Sequence, residues 1–394
     1  MVMAMIFNSS IPVFAASWIR KADIANSAIG LLAASDGLDR IWVFGGWDIS
    51  NSETFTTSEV YSFASNTWTA VADLPETLGD GKAIVLNGKI YLFAYANNYL
   101  YDPALDSYAL LAPMPETRYA FSGETIDGFI YLCGGADTQP QFIVHKGCWK
   151  YDAEGDSFTD IADMSTTRFF HASAVNGGKM YVVAGLSDFS ATELDTVEIY
   201  NPNLDTWSNG TSLPITWWGG VDVNLSGTIF IAQGESGGNI FTGGYVYDPN
   251  GDAWTAITGA ADPGKLRQAG VELGGYPWSI GGMKTNYLGA YESTNIVEYY
   301  TDTTTTTTTS PTTTVNTTTT HLPTTTVPPD DDAADDDTSS ADDADDVSDD
   351  AQGDDSAGTL DDEIGDDSSS NSTLEHNMTG RGQSPSGTFG PCGC

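Results

Sequence analysis

The chain has 394 residues, of which 54 are acidic and 14 basic, for a net charge of −40. Such an excess argues against nucleic acid or anionic lipid as a partner, because both would be repelled. Four cysteines are too few for a disulfide scaffold, and with no run of eighteen apolar residues the sequence encodes no transmembrane helix.

Residues 1–17 are apolar with small residues near their end, but the first positive charge is Arg20. A secretory signal would therefore lack its basic n-region, and a degenerate signal and a misassigned start stand as alternatives. From residue 18 to residue 301 one unit recurs. An apolar strand ends in a small-residue pair at RIWVFGG (40–46), KIYLFAY (89–95), FIYLCGG (129–135), KMYVVAG (179–185), TIFIAQG (228–234) and YPWSIGG (276–282). Successive pairs end 49, 40, 50, 49 and 48 residues apart. A Tyr follows most pairs, with an aromatic seven residues later: Tyr61/Trp68, Tyr101/Tyr108, Tyr151/Phe158, Tyr200/Trp207 and Tyr247/Trp254. Each unit reads as four short strands, because β-branched and aromatic residues alternate between Gly, Asn and Asp turns. One such sheet cannot bury both faces, whereas sheets packed radially cover each other. The small pair lets backbones of adjacent blades approach, and large rings such as Trp207 fill the space between blades.

This pattern resembles the kelch repeat over residues 18–300, with six copies in register. It departs at Ala94-Tyr95, which replaces the Gly pair, and no Trp follows Tyr299. Trp18, followed by an inner-strand pattern at 24–34, sits where the missing outer strand belongs. The fold expected is all-β: a six-bladed propeller over 18–301, closed by the N-terminal strand.

Residues 302–329 form a Thr- and Pro-rich stretch, stalk-like or a plain linker, and residues 330–394 an acidic tail. Residues 302–394 hold 21 acidic side chains and one basic one, Arg381, and cannot offset their ordering entropy, so disorder is expected there. The Asp tract lacks the ligand spacing of a Ca²⁺ loop and reads as a solvating spacer. The terminal Cys392-Gly393-Cys394 resembles some surface-anchoring tails but no apolar helix follows it. Sequons stand at Asn8, Asn209, Asn224, Asn316, Asn371 and Asn377.

In a four-stranded blade, the second-to-third loops and the inter-blade connections share one face, and the long, variable loops lie there. Aligning the repeats on their small pairs brings Leu78, Arg118, Arg168, Trp217 and Lys265 to one position and Gly79, Tyr119, Phe169, Trp218 and Leu266 to the next. A ring of cations and aromatics at the channel mouth suits a carboxylate-bearing or carbohydrate ligand. The candidate ligand-binding residues are therefore Arg118, Tyr119, Arg168, Phe169, His171, Trp217, Trp218 and Lys265. In the plainer reading each Arg pairs with acids of the neighbouring blade and the rings fill core. Cys133 and Cys148 flank one hairpin and form either a cross-strand disulfide or two buried thiols.

Taken with the stalk-like, acidic tail, the resemblance is read as an exported or cell-surface recognition module, monomeric and needing no metal or other cofactor, with a protein or glycan ligand at the channel mouth; the tail disfavours a cytoplasmic kelch adaptor. The periplasm is the alternative location. It also admits a carbohydrate enzyme similar to sialic-acid epimerases, with Arg168, His171 and Glu235 moving protons. A copper oxidase similar to galactose oxidase is a more remote case, since a Tyr–Cys crosslink and two metal-bound His cannot be carried over onto this chain.

Overall fold

The computed structural model describes residues 16–302, except 96, 138–141 and 287. The readings made for the leader, the Thr/Pro stretch, the acidic tail and the terminal cysteines lie outside the described residues. All regular structure within them is strand, and no helix there is long and apolar enough to cross a membrane.

Six four-stranded antiparallel sheets follow one another. Their inner strands are Leu32–Ser35, Lys82–Leu86, Ser122–Ile126, Ala172–Asn176, Val221–Leu225 and Ala269–Leu273. Blade four shows the unit in full, with Ala172–Asn176, Lys179–Leu186, Glu193–Asn201 and Thr206–Gly210 in consecutive register. The sixth sheet takes its outer strand from the other end of the chain. Ser17–Arg20 pairs with Val297–Thr301, and Trp18 stands opposite Tyr300. The expected closure is observed. The expected inner strand at 24–34 is shorter, Leu32–Ser35, because residues 24–29 serve as the crossing into blade one, where Ile29 bridges Trp47.

Between each pair of blades lies an apolar layer. Blades one and two share Phe44, Leu92 and Tyr101, and blades six and one share Tyr61, Val271 and Trp278. The Tyr of each third strand is the anchor of its layer: Tyr61, Tyr101, Tyr151, Tyr200 and Tyr247 are all fully buried. Each phenol donates to an Asn or Asp five residues on, namely Asn66, Asp106, Asp156, Asp205 and Asp252. That residue turns the chain between third and fourth strands with a positive φ. Its side chain also accepts a backbone N–H from the preceding blade, as Asp205 does from Ala162 at 2.8 Å. One side chain thus ties turn, core and neighbour together. In blade three, Cys133 and Cys148 are direct cross-strand partners, joined by a disulfide with a Cα separation of 4.2 Å.

Candidate ligand-binding face

Where the chain passes from one blade into the next inner strand, three successive residues do three jobs. In blade four they are Arg168, Phe169 and Phe170. The Arg168 carbonyl accepts the N–H of Gly135 from blade three at 2.8 Å. Phe169 pairs with Leu186 at the end of its own blade's second strand. Phe170 takes a left-handed conformation, φ 50°, and donates its N–H to Ala120 of blade three at 2.9 Å.

Both inter-blade bonds recur all the way round. The first series runs from Gly46, Tyr95, Gly135, Gly185, Gly234 and Gly282 to the carbonyls of Leu78, Arg118, Arg168, Trp217, Lys265 and Ala28. The second is a closed circuit in which Gly30, Asp80, Ala120, Phe170, Gly219 and Arg267 each donate to the same position of the preceding blade. The small pairs have their reason here: a Cβ on Gly135, φ 88°, would lie 2.8 Å from the Tyr119 carbonyl.

This geometry decides where the candidate side chains go. Arg168 is fully buried and turns back into its own blade, donating to the carbonyl of Ala184 at 2.7 Å and to Glu198 at 2.6 Å. Glu198 also accepts the N–H of Ser165. Burial pushes its carboxyl up, but that N–H, the Ser165 hydroxyl and Arg168 together hold it below the ordinary range. Arg118 lies over the Trp149 ring at 3.8 Å and donates to the carbonyls of Gly134 and Gly147 and to Glu116. Lys265 is fully buried 3.2 Å from Glu298; burial lowers its pKa to about 8, with Glu298 offsetting part of the loss. Trp217 donates its indole N–H to the Gln233 carbonyl at 2.6 Å. The cations expected in a ring at the channel mouth are thus all buried in the structure. The alignment is right, but Arg118, Arg168, Trp217 and Lys265 brace their blades from within, mostly against backbone carbonyls.

Phe169 and Trp218 are also buried, in an apolar layer beneath the face that includes Trp47, Leu186, Leu266 and Met283. His171 faces the axial channel below the circuit, and burial, with Arg168 and Lys82 nearby, keeps its imidazole neutral. Glu235 sits half-buried on the hairpin Glu235–Ser236/Asn239–Ile240, where it accepts from Tyr291 and burial raises its pKa. Arg168, His171 and Glu235 thus occupy three settings: a blade interior, the channel and a surface hairpin. Cys133 is committed to its disulfide and unavailable for a Tyr–Cys crosslink.

What the face does present is aromatic. Phe142 and Ile143, on the loop after the second strand of blade three, are 42% and 40% exposed. Phe142 meets Phe189 of blade four with ring centroids 5.9 Å apart, and Phe189 rests on Phe169 at 5.3 Å. The band continues through Phe170 to Tyr119, at 6.1 Å, and from Tyr119 to Tyr95 at 6.3 Å. Arg267, held by Asp80, lies between the rings of Trp47 and Phe170 and lines the channel. Carboxylates edge the band: Glu116 and Asp137 at His145, Asp188 beside Phe189, and Glu235. Sequence reasoning missed Phe142 and Phe189, which lie outside the repeat register and carry no periodic signal.

Residues 167–214 match the model of the Kelch motif. The Kelch-like protein terF of Aspergillus terreus is 27% identical over 50% of this chain and 48% of its own length. Kelch-like protein 25 of Xenopus tropicalis is 28% identical over 44% of this chain and 30% of its own. The chain spans less than half the length of these curated relatives. A solved structure titled "Structure of YjhT" superposes with a TM-score of 0.60 at 13% identity, covering 72% of this chain and 99% of that one.

Proposed function

As a six-bladed propeller of the kelch-repeat family, this chain is, we propose, a recognition module that binds a protein ligand on its hairpin face. The observation that carries the reading is the aromatic band around Phe142, Phe189, Phe170 and Tyr119, open to solvent in part and edged by carboxylates. With Arg118, Arg168 and Lys265 engaged inside the blades, that face favours apolar or aromatic side chains flanked by basic ones. Export to an oxidising compartment belongs to the same proposal and is supported by the Cys133–Cys148 disulfide. A glycan ligand stacking on the same rings is the competing outcome.

Panning a random peptide library against the full chain tests both. Basic-aromatic sequences should be enriched, and Phe142→Ala should release them with the melting temperature unchanged. Enrichment of acidic sequences, or binding confined to a glycan array, would overturn the protein reading.

A further inference from the structure

The axial channel is a second, separate cavity. The second residue of each inner strand lines it: Ala33, Ala83, Gly123, Ser173, Asp222 and Gly270. Four of the six are Ala or Gly, so the bore stays open for want of side chains. It has a chamber of about 100 Å³ beneath the Arg267–Asp80 pair and a wider one of about 550 Å³ reaching the face of the first-to-second turns. The two share walls at Ala33, Lys82 and Asp222.

Its polar groups are unevenly committed. Both cations on the wall are engaged, Lys82 with Asp222 and Arg267 with Asp80. Acceptors are left over. Gln268, 8% exposed, donates through Nε2 to Gln233, but its Oε1 is buried without a partner. Glu124 takes a hydrogen bond from the Ser173 hydroxyl at 2.7 Å, not from a cation. Asp222 accepts the Ser173 N–H at 3.0 Å and lies 3.5 Å from the Lys82 ammonium, a loose pair. A narrow bore with spare acceptors and occupied cations selects a slender donor that carries positive charge.

We propose that the axial channel binds a small linear organic amine, which enters from the face of the first-to-second turns and places its ammonium groups against Glu124 and Asp222 and toward Gln268. Lys82 is then the built-in competitor for the same carboxylates. Removal from bulk water, only partly offset by Ser173 and Lys82 and reinforced by Asp222, raises the Glu124 pKa to about 7. An ammonium beside it favours the ionised form, so binding releases a proton below pH 7 and tightens as pH rises from 6 to 8.

Calorimetric titration of the full chain with putrescine and spermidine, in about 0.15 M salt to screen the acidic tail, is the test. One 1:1 site should appear. Glu124→Gln, isosteric with the protonated carboxyl, should weaken it about tenfold or more, and Lys82→Met should tighten it. Asp222→Asn gives an independent loss, and melting curves confirm that each variant is folded. Equal affinity for wild type and Glu124→Gln, weaker binding by Lys82→Met, or multi-site binding alone, as expected of the tail, would each overturn the proposal.

Discussion

Arg168 shows at the scale of one residue how a functional signature and a structural one can share a position. A cation recurring at the inner-strand start of an acidic domain reads as a ligand site. In the structure its guanidinium has no exposure and closes on Glu198 and the Ala184 carbonyl. Spacing fixes which residues are equivalent but not where their side chains point. The residue two places on, Phe170 here, is left-handed in every blade, and ring, charged and glycine residues all occupy its place in the circuit. Arg168→Ala should accordingly unfold the protein more easily, by about 3–5 kcal/mol, because it strands a buried carboxylate. Chemical denaturation measures this. Since the folded Glu198 pKa is depressed, its contribution is present above the ordinary carboxylate range and lost as pH falls through the folded value. The wild-type melting temperature should thus fall on acidification below about pH 4.5, and that sensitivity should shrink in Arg168→Ala.

For the blade, the legible part was the strand pattern, the small pair and the Tyr with its following aromatic. The roles within that pair were not evenly legible. Trp207 was expected as the large inter-blade anchor, yet it is only partly buried and donates to the Ala162 carbonyl, while Tyr200 is the fully buried ring. The Asn or Asp five residues after each Tyr was present in the sequence and passed for turn punctuation. Its second role, capturing an N–H from the preceding blade, needs the packed structure to be seen. Tyr200→Phe should cost about 1 kcal/mol by removing the bond to Asp205. Asp205→Asn should be close to neutral, because blade one uses Asn66 in the same place. Replacing both Cys133 and Cys148 by Ser frees a 15-residue separation and should lower stability by about 3 kcal/mol, read from the urea midpoint.

Closure is the property of the whole molecule, and it was legible because Trp18 occupied a place the last repeat left empty. Four cross-strand pairs from Ser17 to Arg20 complete the sixth sheet. Removing residues 16–20 should expose the edge of Val297–Thr301 and the rings of Phe230 and Tyr300 that Trp18 covers. We expect a drop of ten degrees or so in melting temperature, with aggregation, seen by scanning calorimetry and light scattering. The candidate face was less legible than the fold. The rings it was missing, Phe142 and Phe189, come from two loops of different length, and loops are where repeat registers stop constraining sequence.

Because Ser17 lies directly opposite Thr301, the beginning and end of the propeller are neighbours on the same edge. The order in which the blades are spelled out along the chain is therefore arbitrary to the finished ring. A gene rewritten to join residue 302 to residue 16 through a short Gly-Ser peptide, and reopened at the exposed Leu204 turn, should yield a protein with the same spectrum and ligand preferences. Such a permutant would carry its new ends on the face of the third-to-fourth turns, away from the aromatic band, and would offer a scaffold to which cargo can be fused without shadowing that band.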